Sequence, residues 1–262
     1  MADPVLVDVT DGVATITLNR PEGMNSLTVA AKVALNEAVA QVRADDRVRA
    51  LVLAGSGRAF CVGQDLKEHV ELLAAGDPAP LSTVTEHYNP LVTALYEMRV
   101  PTVAAITGTA AGAGLGLACA LDLRVGATGA RYTTAFAGVG LSADSGLSWT
   151  LPRLVGAGRA ARLLLLAEPF TSEEAHEMGL VDVLVAPEEV VPTAQALAAR
   201  LAAGPTVALG NIKQAVRFGA SHSLVETLAE EDVLQTRSGA SADHRRAVEA
   251  FLAKEKPVFE GR

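Results

Sequence analysis

The chain has 262 residues, half of them hydrophobic, and its net charge is −8. A chain of this length and apolar content buries one sizeable core, so we expect one main domain. No block of Lys and Arg stands out, and an acidic chain repels phosphate backbones, which argues against a nucleic-acid partner.

The sequence also favours a soluble, cytoplasmic protein without a metal site. The amino terminus lacks the basic start of a secretory signal, and the apolar runs are much shorter than the ~20 residues of a bilayer span. Cys61 and Cys119 lie far apart without CxxC spacing, which predicts reduced core thiols rather than a disulfide. The five histidines form no pair at metal-ligand spacing.

Hydrophobic periodicity predicts the first elements. Residues 13–18 alternate between apolar residues and threonine, as a half-buried strand does. A helix over 28–43 should follow, with Thr28 as its N-cap and an apolar stripe of Leu35, Ala38, Val39 and Val42. Residues 48–53 then form a buried strand.

The middle of the chain predicts a strand, a glycine loop and a helix in that order. Asn89-Pro90 should begin a helix with Asn89 as its cap, because proline is tolerated only at the first helical positions. Residues 102–107 form a strand that leads into the glycine-rich stretch 108–116. Further strands are expected at 123–128 and 132–136.

Beyond residue 140 the pattern is mostly helical. Thr171-Ser-Glu-Glu174 forms a capping box, and residues 180–185 supply a last strand. From Pro187 onward only helices are expected, with a break at Gly204-Pro205. Strand–helix alternation followed by helices predicts an α/β fold, with a core over residues 1–200 and a helical segment over 201–262.

Two segments that follow predicted strands, residues 58–67 and 108–116, have the composition of ligand loops. Glycine lets the backbone approach a ligand closely, and a helix that starts there presents unpaired N–H groups, which favour negative charge. Taken alone, either loop is also compatible with a tight turn. A dinucleotide site is the weaker interpretation, because Leu117 stands where that fingerprint needs its third glycine.

These loops, together with further motifs in the expected order, resemble the crotonase (enoyl-CoA hydratase/isomerase) superfamily of acyl-CoA enzymes. The matching segments are Asn19-Arg-Pro21, residues 58–67, 105–116 and 140–156, Ala175 with Gly179-Leu-Val181, and Phe251-Leu-Ala-Lys254. They cover nearly the whole chain. The resemblance implies a spiral of ββα units, an acyl-CoA substrate with no further cofactor, and a homotrimer or dimer of trimers joined through the C-terminal helices.

The same resemblance assigns roles to individual residues. It implies that the backbone N–H groups of Gln64 and Ala113 form an oxyanion hole for the thioester carbonyl. It places Phe136, Gly116 and Leu115 in the acyl pocket. The CoA-binding residues that it implies are Arg58, Ala59, Cys61, Asp65, Leu66 and Lys256.

The carboxylates decide which reaction is expected. By the resemblance, hydratases use two glutamates at positions that align here with Gly116 and Phe136, and neither residue can transfer a proton. Asp144 remains, ahead of an apolar helix that it is equally suited to cap. The chain resembles most closely the phenylacetate-pathway enoyl-CoA/epoxide isomerases, which place their working aspartate there and share Tyr88-Asn-Pro-Leu-Val92.

Double-bond isomerisation needs one base, so we expect an isomerase in which Asp144 shuttles a proton through a dienolate. Burial near Phe136 would raise the pKa of Asp144 toward the working range. The chain departs from the isomerase subgroup at Ala143, where proline is usual, and at Leu147, where glycine is usual.

Three alternatives stay open. One is an enoyl-CoA hydratase, a lyase, with a different acid/base. Another is a hydrolytic relative that uses the aspartate as a nucleophile with a histidine base and a tryptophan, for which His87 is loosely placed and Phe136 stands at the tryptophan position. The last is a non-catalytic acyl-CoA binder, or an RNA-binding protein, against which the lack of a basic stripe argues.

Overall fold

The structure is a computed structural model that describes residues 2–262. Within this range the chain alternates strands with helices and ends in helices. The strands are β1 Val5–Thr10, β2 Val13–Leu18, β3 Ala50–Gly55, β4 Ala59–Cys61, β5 Thr102–Ile106, β6 Thr109–Ala111, β7 Leu123–Ala127, β8 Arg131–Thr133, β9 Phe170–Thr171 and β10 Val183–Val185. The helices are α1 Val29–Ala44, α2 Leu66–Ala74, α3 Asn89–Tyr96, α4 Ala113–Ala120, α5 Leu147–Val155, α6 Ala157–Leu166, α7 Ser172–Glu177, α8 Val190–Ala202, α9 Thr206–Gly219, α10 Leu224–Gly239 and α11 Ala242–Ala253.

The strands form two sheets that grow together along the chain. The first sheet has the order β1-β2-β3-β5-β7-β10 and is parallel except for β1, while the second has the order β4-β6-β8-β9. The successive pairs β3/β4, β5/β6 and β7/β8 each give one strand to each sheet. This arrangement is the predicted α/β spiral of strand pairs and helices.

The core lies where strands and helices bury their apolar faces. Every residue of β3 is buried, and α8 packs across β3, β5 and β7 with Val190, Ala194 and Ala198 inward. Thr28 caps α1 as predicted, since its side chain accepts the N–H of Ala31 at 3.2 Å, a contact typically worth about 1 kcal/mol. Cys61 and Cys119 are buried free thiols, also as predicted.

Two local predictions are wrong. Asn89 does not cap α3, because a π-helical turn over Val84–Tyr88 runs directly into that helix and leaves Asn89 helical. The strand expected at 132–136 ends at Thr133, since Ala135 takes a φ of +64° and a short 3₁₀ turn, Phe136–Val139, follows. Strand β1, which pairs with β2, was not predicted.

The C-terminal residues return to the start of β3. Asp243 is buried in α11 and accepts the N–H groups of Glu260 and Gly261 at 2.7 and 2.8 Å. Arg49, just before β3, donates to the oxygen of Phe259 at 3.2 Å. The division at residues 200 and 201 stays a prediction. None of the helices within residues 2–262 combines the length and hydropathy that a bilayer span needs.

Candidate active site

The segment after β4 leaves the backbone amide of Gln64 without an acceptor. Gly63 has a φ of +83°, and a Cβ there would lie 2.9 Å from the oxygen of Ala111, so glycine is required. Leu27 donates to the oxygen of Gly63 at 2.7 Å and accepts from the N–H of Asp65 at 3.2 Å. The N–H of the intervening Gln64 therefore points away from Leu27, and it meets no hydrogen-bond acceptor in the described part of the chain.

A second free amide lies at the start of α4. Ala113 is the first residue of this helix, after Gly112 with a φ of +51°, so its N–H has no partner within the helix. The two segments are in contact, because a Cβ on Gly63 would lie 3.2 Å from the nitrogen of Ala113. A Cβ on Gly114 would overlap the oxygen of Cys61. The structure thus brings both predicted amide residues together, and their action on one ligand oxygen stays a prediction.

Asp144 lies on a loop that presses against α4. The interpretation of Asp144 as a side-chain helix cap is wrong: α5 begins after Gly146 without a side-chain cap, and only the backbone oxygen of Asp144 accepts the N–H of Leu147, at 3.0 Å. Ser145 and Gly146 take left-handed φ values of +52° and +71°, which turn the chain before the helix. The Asp144 carboxylate therefore does not bond to the start of α5 and is available to a substrate.

Burial raises the pKa of the Asp144 carboxyl above its ordinary value. A hydrogen bond from the Ser145 hydroxyl at 2.7 Å and the charge of Lys32 oppose the shift. A carboxylate with a raised pKa is a stronger base than an exposed aspartate, and it is therefore better suited to take a proton and return it. The environment of Asp144 thus suits proton transfer.

The three residues predicted for the acyl pocket lie in different surroundings. Phe136 lies close to the second amide loop, with its ring 3.9 Å from the Cβ position of Gly112. A Cβ on Gly116 would lie 2.8 Å from both the Cβ and the oxygen of Ser145, so this position faces the Asp144 loop directly. Leu115 is fully buried in the main core cluster.

Asp65 has a structural role that the sequence did not reveal. Its carboxylate caps α2 by accepting the N–H groups of Lys67 and Glu68, and it also accepts from Ser26 at 2.8 Å and from Arg20 at 3.3 Å. Burial pushes its pKa up, but these donors outweigh burial and hold the pKa below its ordinary value. The next residue, Leu66, is exposed and accessible to a ligand.

The other residues predicted to bind CoA are more scattered. Ala59 and Cys61 are buried in β4, and the Cys61 thiol donates to the oxygen of Asn25, so their side chains are not open to a ligand. Arg58 is exposed at the other end of β4 and lines a separate cleft of about 730 Å³. Lys256 is exposed in the C-terminal stretch that binds near the start of β3, so this chain does not bring Lys256 to the two loops by any described contact.

One residue of the site was missed: Lys32 of α1 is fully buried. Its Nζ donates to Gln64 Oε1 at 3.0 Å and to the hydroxyl of Thr83, and it lies 5.2 Å from the centre of the Tyr88 ring. Tyr88 donates to the same Gln64 oxygen at 2.6 Å. The sequence did carry a signal, because Lys32 stands one turn before Leu35 on the apolar stripe of α1.

His87, which the hydrolytic alternative requires as a base, contacts Thr83, the residue that also binds Lys32. A ring nitrogen of His87 lies 3.2 Å from the hydroxyl of Thr83, and the backbone oxygen of His87 accepts from Asn36. The described contacts do not join its ring to Asp144. This arrangement gives the hydrolytic mechanism no support.

Two further large clefts also lie away from the two amides. A cleft of about 650 Å³ is formed mainly by α9, α10 and α11, and one of about 620 Å³ mainly by α9 and the end of α3. Neither is lined by Gln64, Ala113 or Asp144. Around the two amides the side chains are packed closely, with Ala113 exposed by 4% and Phe136 by 8%. The acyl pocket therefore stays a prediction.

Comparison with known proteins finds relatives that match nearly the whole chain. A sequence model described as enoyl-CoA hydratase/isomerase matches residues 8–262. The 1,2-epoxyphenylacetyl-CoA isomerase of Escherichia coli (strain K12) is 42% identical over 262 residues, 100% of both chains. The (E)-benzylidenesuccinyl-CoA hydratase of Thauera aromatica is 32% identical, over 98% of this chain and 99% of its own. A crystal structure from Mycobacterium abscessus, provisionally assigned to the hydratase/isomerase group, superimposes with a TM-score of 0.96 at 47% identity and covers 98% of this chain and 100% of its own.

Proposed function

This chain belongs to the enoyl-CoA hydratase/isomerase family, and we propose that it is an enoyl-CoA double-bond isomerase, or acts on a related epoxide, with Asp144 as the base. The observation that carries the proposal is the placement of Asp144. Its carboxylate is free of the helix cap, is partly buried, and lies on a loop that touches the helix of Ala113 at Gly116.

The chemistry follows from one base and two amides. Asp144 takes a proton from an acyl carbon, and the electrons of that C–H bond move into the thioester carbonyl to give a dienolate. The N–H groups of Gln64 and Ala113 stabilise the negative oxygen, and a single donor of this kind is typically worth about 3 kcal/mol of barrier. Protonated Asp144 then returns the proton to another carbon of the acyl chain, and the double bond has moved.

Packing at Gly116 argues against the usual hydratase arrangement. Water addition by two acid/base groups requires an acid at this position, and any side chain there would collide with Ser145, since its Cβ already lies within 2.8 Å. The Phe136 side chain fills the other position and has no proton to exchange. One carboxylate thus has to serve both proton transfers, which isomerisation allows.

The proposal is tested by offering both reactions to the purified protein. A 3-enoyl-CoA should be converted to the conjugated 2-enoyl-CoA, which is followed by its absorbance, and crotonyl-CoA should gain water slowly or not at all. Robust hydration of crotonyl-CoA without isomerisation would show that another group replaces the missing glutamates. A chain that binds CoA esters but converts neither would be a non-catalytic binder.

An epoxide substrate is the natural second assay. The E. coli relative is named for the isomerisation of 1,2-epoxyphenylacetyl-CoA. An isomerisation conserves the atoms and electrons of its substrate, so such a reaction needs no cofactor beyond the CoA of the substrate. We therefore include ring-opening of an arene epoxide among the proposed activities, to be followed by the loss of the epoxide.

A homotrimer or a dimer of trimers is the proposed assembly. Large apolar side chains of the last two helices are exposed to solvent, at 73% for Leu224, 77% for Val225, 81% for Phe251 and 76% for Leu252. Apolar surface of this kind is typical of a subunit interface. Light scattering after size exclusion should give three or six times the 27.0 kDa of one chain. A monomeric mass would contradict the assembly.

A further inference from the structure

A buried ammonium group lies behind the Gln64 loop. Lys32 is 0% exposed, and in the described part of the chain no carboxylate oxygen lies within 4.0 Å of its Nζ. Its neighbours at contact distance are neutral, namely the Gln64 amide and the Thr83 hydroxyl. Burial of a charge without a paired counter-ion costs free energy, so an apolar residue at this point of the α1 stripe would give a more stable helix.

The charge of Lys32 is balanced at longer range by carboxylates from several elements. Glu68 acts on it from α2, Asp65 from the N-cap of that helix, Asp144 from the loop before α5 and Glu86 from the π-helical turn. His87 faces it through Thr83, and the Tyr88 ring lies beside it. Burial lowers the pKa of Lys32, while these four carboxylates oppose the shift.

Gln64 connects this ammonium group to the oxyanion loop. The single oxygen Gln64 Oε1 accepts from Lys32 at 3.0 Å and from the Tyr88 hydroxyl at 2.6 Å, which fixes the orientation of the amide group. The backbone N–H of the same residue is one of the two free amides. Tyr88 lies one helical turn before Val92, which in turn contacts the turn that follows Asp144, at 2.9 Å from the Cβ position of Gly146.

We propose that Lys32 is a positioning residue of this active site, which fixes Gln64 and Tyr88 behind the oxyanion loop and whose positive charge acts on the Asp144 carboxylate. The inference rests on the proposed isomerase function, because it assigns Lys32 its task through Gln64 and Asp144. A lysine kept only for the stability of the fold would be expected to form an ion pair, whereas the described hydrogen bonds of Lys32 are with neutral groups.

The test is the pH profile of kcat/KM for isomerisation of a 3-enoyl-CoA by Lys32→Met and Lys32→Arg. Removal of a cation raises the pKa of Asp144, and the base works only when ionised. The acidic limb of Lys32→Met should therefore move to higher pH. At a fixed pH on that limb, kcat/KM should fall several-fold. Lys32→Arg, which keeps the charge, should keep the wild-type limb.

Two further variants serve as controls. One keeps the charge of Lys32 but removes a hydrogen bond to Gln64, and the other removes a largely buried lysine elsewhere in the molecule. Tyr88→Phe removes one bond to Gln64 but keeps the charge of Lys32, so it should lower kcat without moving the limb. Lys213→Met removes another largely buried lysine, on α9 and outside the site, and should leave both the limb and kcat unchanged. Circular dichroism should show that each variant is folded.

The outcomes distinguish this inference from the function beneath it. If wild-type protein isomerises the substrate and Asp144→Asn does not, but Lys32→Met keeps the wild-type limb and kcat, Lys32 is structural and the inference is overturned. A limb that moves equally in Lys32→Met and Lys32→Arg would also overturn it, since only one of them loses the charge. Wild-type protein without isomerase activity would instead overturn the proposed function.

Discussion

Two lysines, the fully buried Lys32 and the largely buried Lys213, have opposite surroundings. At the amino ends of β5 and β7, Lys213 forms an ion pair with Asp122, which also accepts from Arg217 at 2.9 Å and from the backbone N–H of Thr102 at 2.8 Å. Lys32 lies behind the loops that follow β4 and β6, where its Nζ contacts neutral groups and forms no ion pair within residues 2–262.

The paired lysine is expected to contribute to stability, and the unpaired groups near the two amide loops are expected to contribute to function. Burial lowers the pKa of Lys213 to about 8 against the charge of Asp122, but its ammonium group is paired and also donates to the oxygen of Val100 at 2.9 Å. At the other end the donors and charges are left partly unpaired. Among residues 2–262, the amides of Gln64 and Ala113 meet no acceptor, and Ser145 is the one close donor to the Asp144 carboxylate. We expect substitutions at the amino ends to change stability and those at the loops to change turnover.

The largest contrast should come from Asp144→Asn. Loss of the single base should lower kcat for 3-enoyl-CoA isomerisation by about 10²- to 10⁴-fold, the usual contribution of such a group. Binding of the CoA ester, measured by titration calorimetry, should change little, because the amides remain. A variant that kept wild-type kcat would show that another group moves the proton.

Asp122→Asn should have the opposite signature. It leaves two cations, Lys213 and Arg217, without their carboxylate, and removal of one partner from a mostly buried pair costs about 3 kcal/mol in the free energy of unfolding. Urea denaturation measures the loss. Asp46→Asn is the matched control, since the pair of Asp46 with Arg99 is 97% exposed on the Asp46 side and should contribute under about 1 kcal/mol.

If Asp122→Asn instead moved the acidic limb of the pH profile, the two ends would not be independent. An unchanged free energy of unfolding would mean that the paired cluster contributes nothing to stability. Either result would break the contrast between the ends of the strands.

Gly116→Ala should affect both properties, because it presses the Asp144 loop away from α4. The new methyl would lie 2.8 Å from the Cβ and the oxygen of Ser145, and overpacking of this kind costs about 1–3 kcal/mol. We expect lower kcat and a lower melting temperature together. Gly138→Ala is the control, since a Cβ there meets nothing within 4 Å. Equal effects of the two changes would show that Gly116 is not a packing constraint.

The smallest effect concerns the stability of Asp144→Asn. Burial raises the folded-state pKa of Asp144 above its unfolded value, so ionisation of this group opposes folding. Its contribution to stability is full at a pH below the unfolded pKa and is lost as the pH rises through the folded pKa. The variant should therefore unfold at a higher temperature than wild type near pH 7, and this difference should vanish near pH 3. A difference independent of pH would contradict the assigned shift.

Local signals made much of the fold predictable. The cap at Thr28 and the stripe of α1 are read within one segment, as is the capping box of α7, where Thr171 and Glu174 bond reciprocally. The amide loops were equally local, because glycine allows the positive φ that Gly63 and Gly112 adopt. These features need no knowledge of distant residues.

Contacts between distant segments explain what was missed. Lys32 belongs to the site only because Gln64, Thr83 and Tyr88 fold onto it from far along the chain. Asp144 is released from capping because Ser145 and Gly146 adopt left-handed conformations, which the general preference of aspartate for caps does not reveal.

A crystal structure of the Asp144→Asn variant with an unreacted 3-enoyl-CoA tests the account most directly. We predict that the thioester oxygen lies about 2.7–3.1 Å from the backbone nitrogens of both Gln64 and Ala113, with residue 144 beside the acyl carbons that exchange the proton. A thioester oxygen that contacts neither amide, or an acyl chain directed away from residue 144, would contradict it.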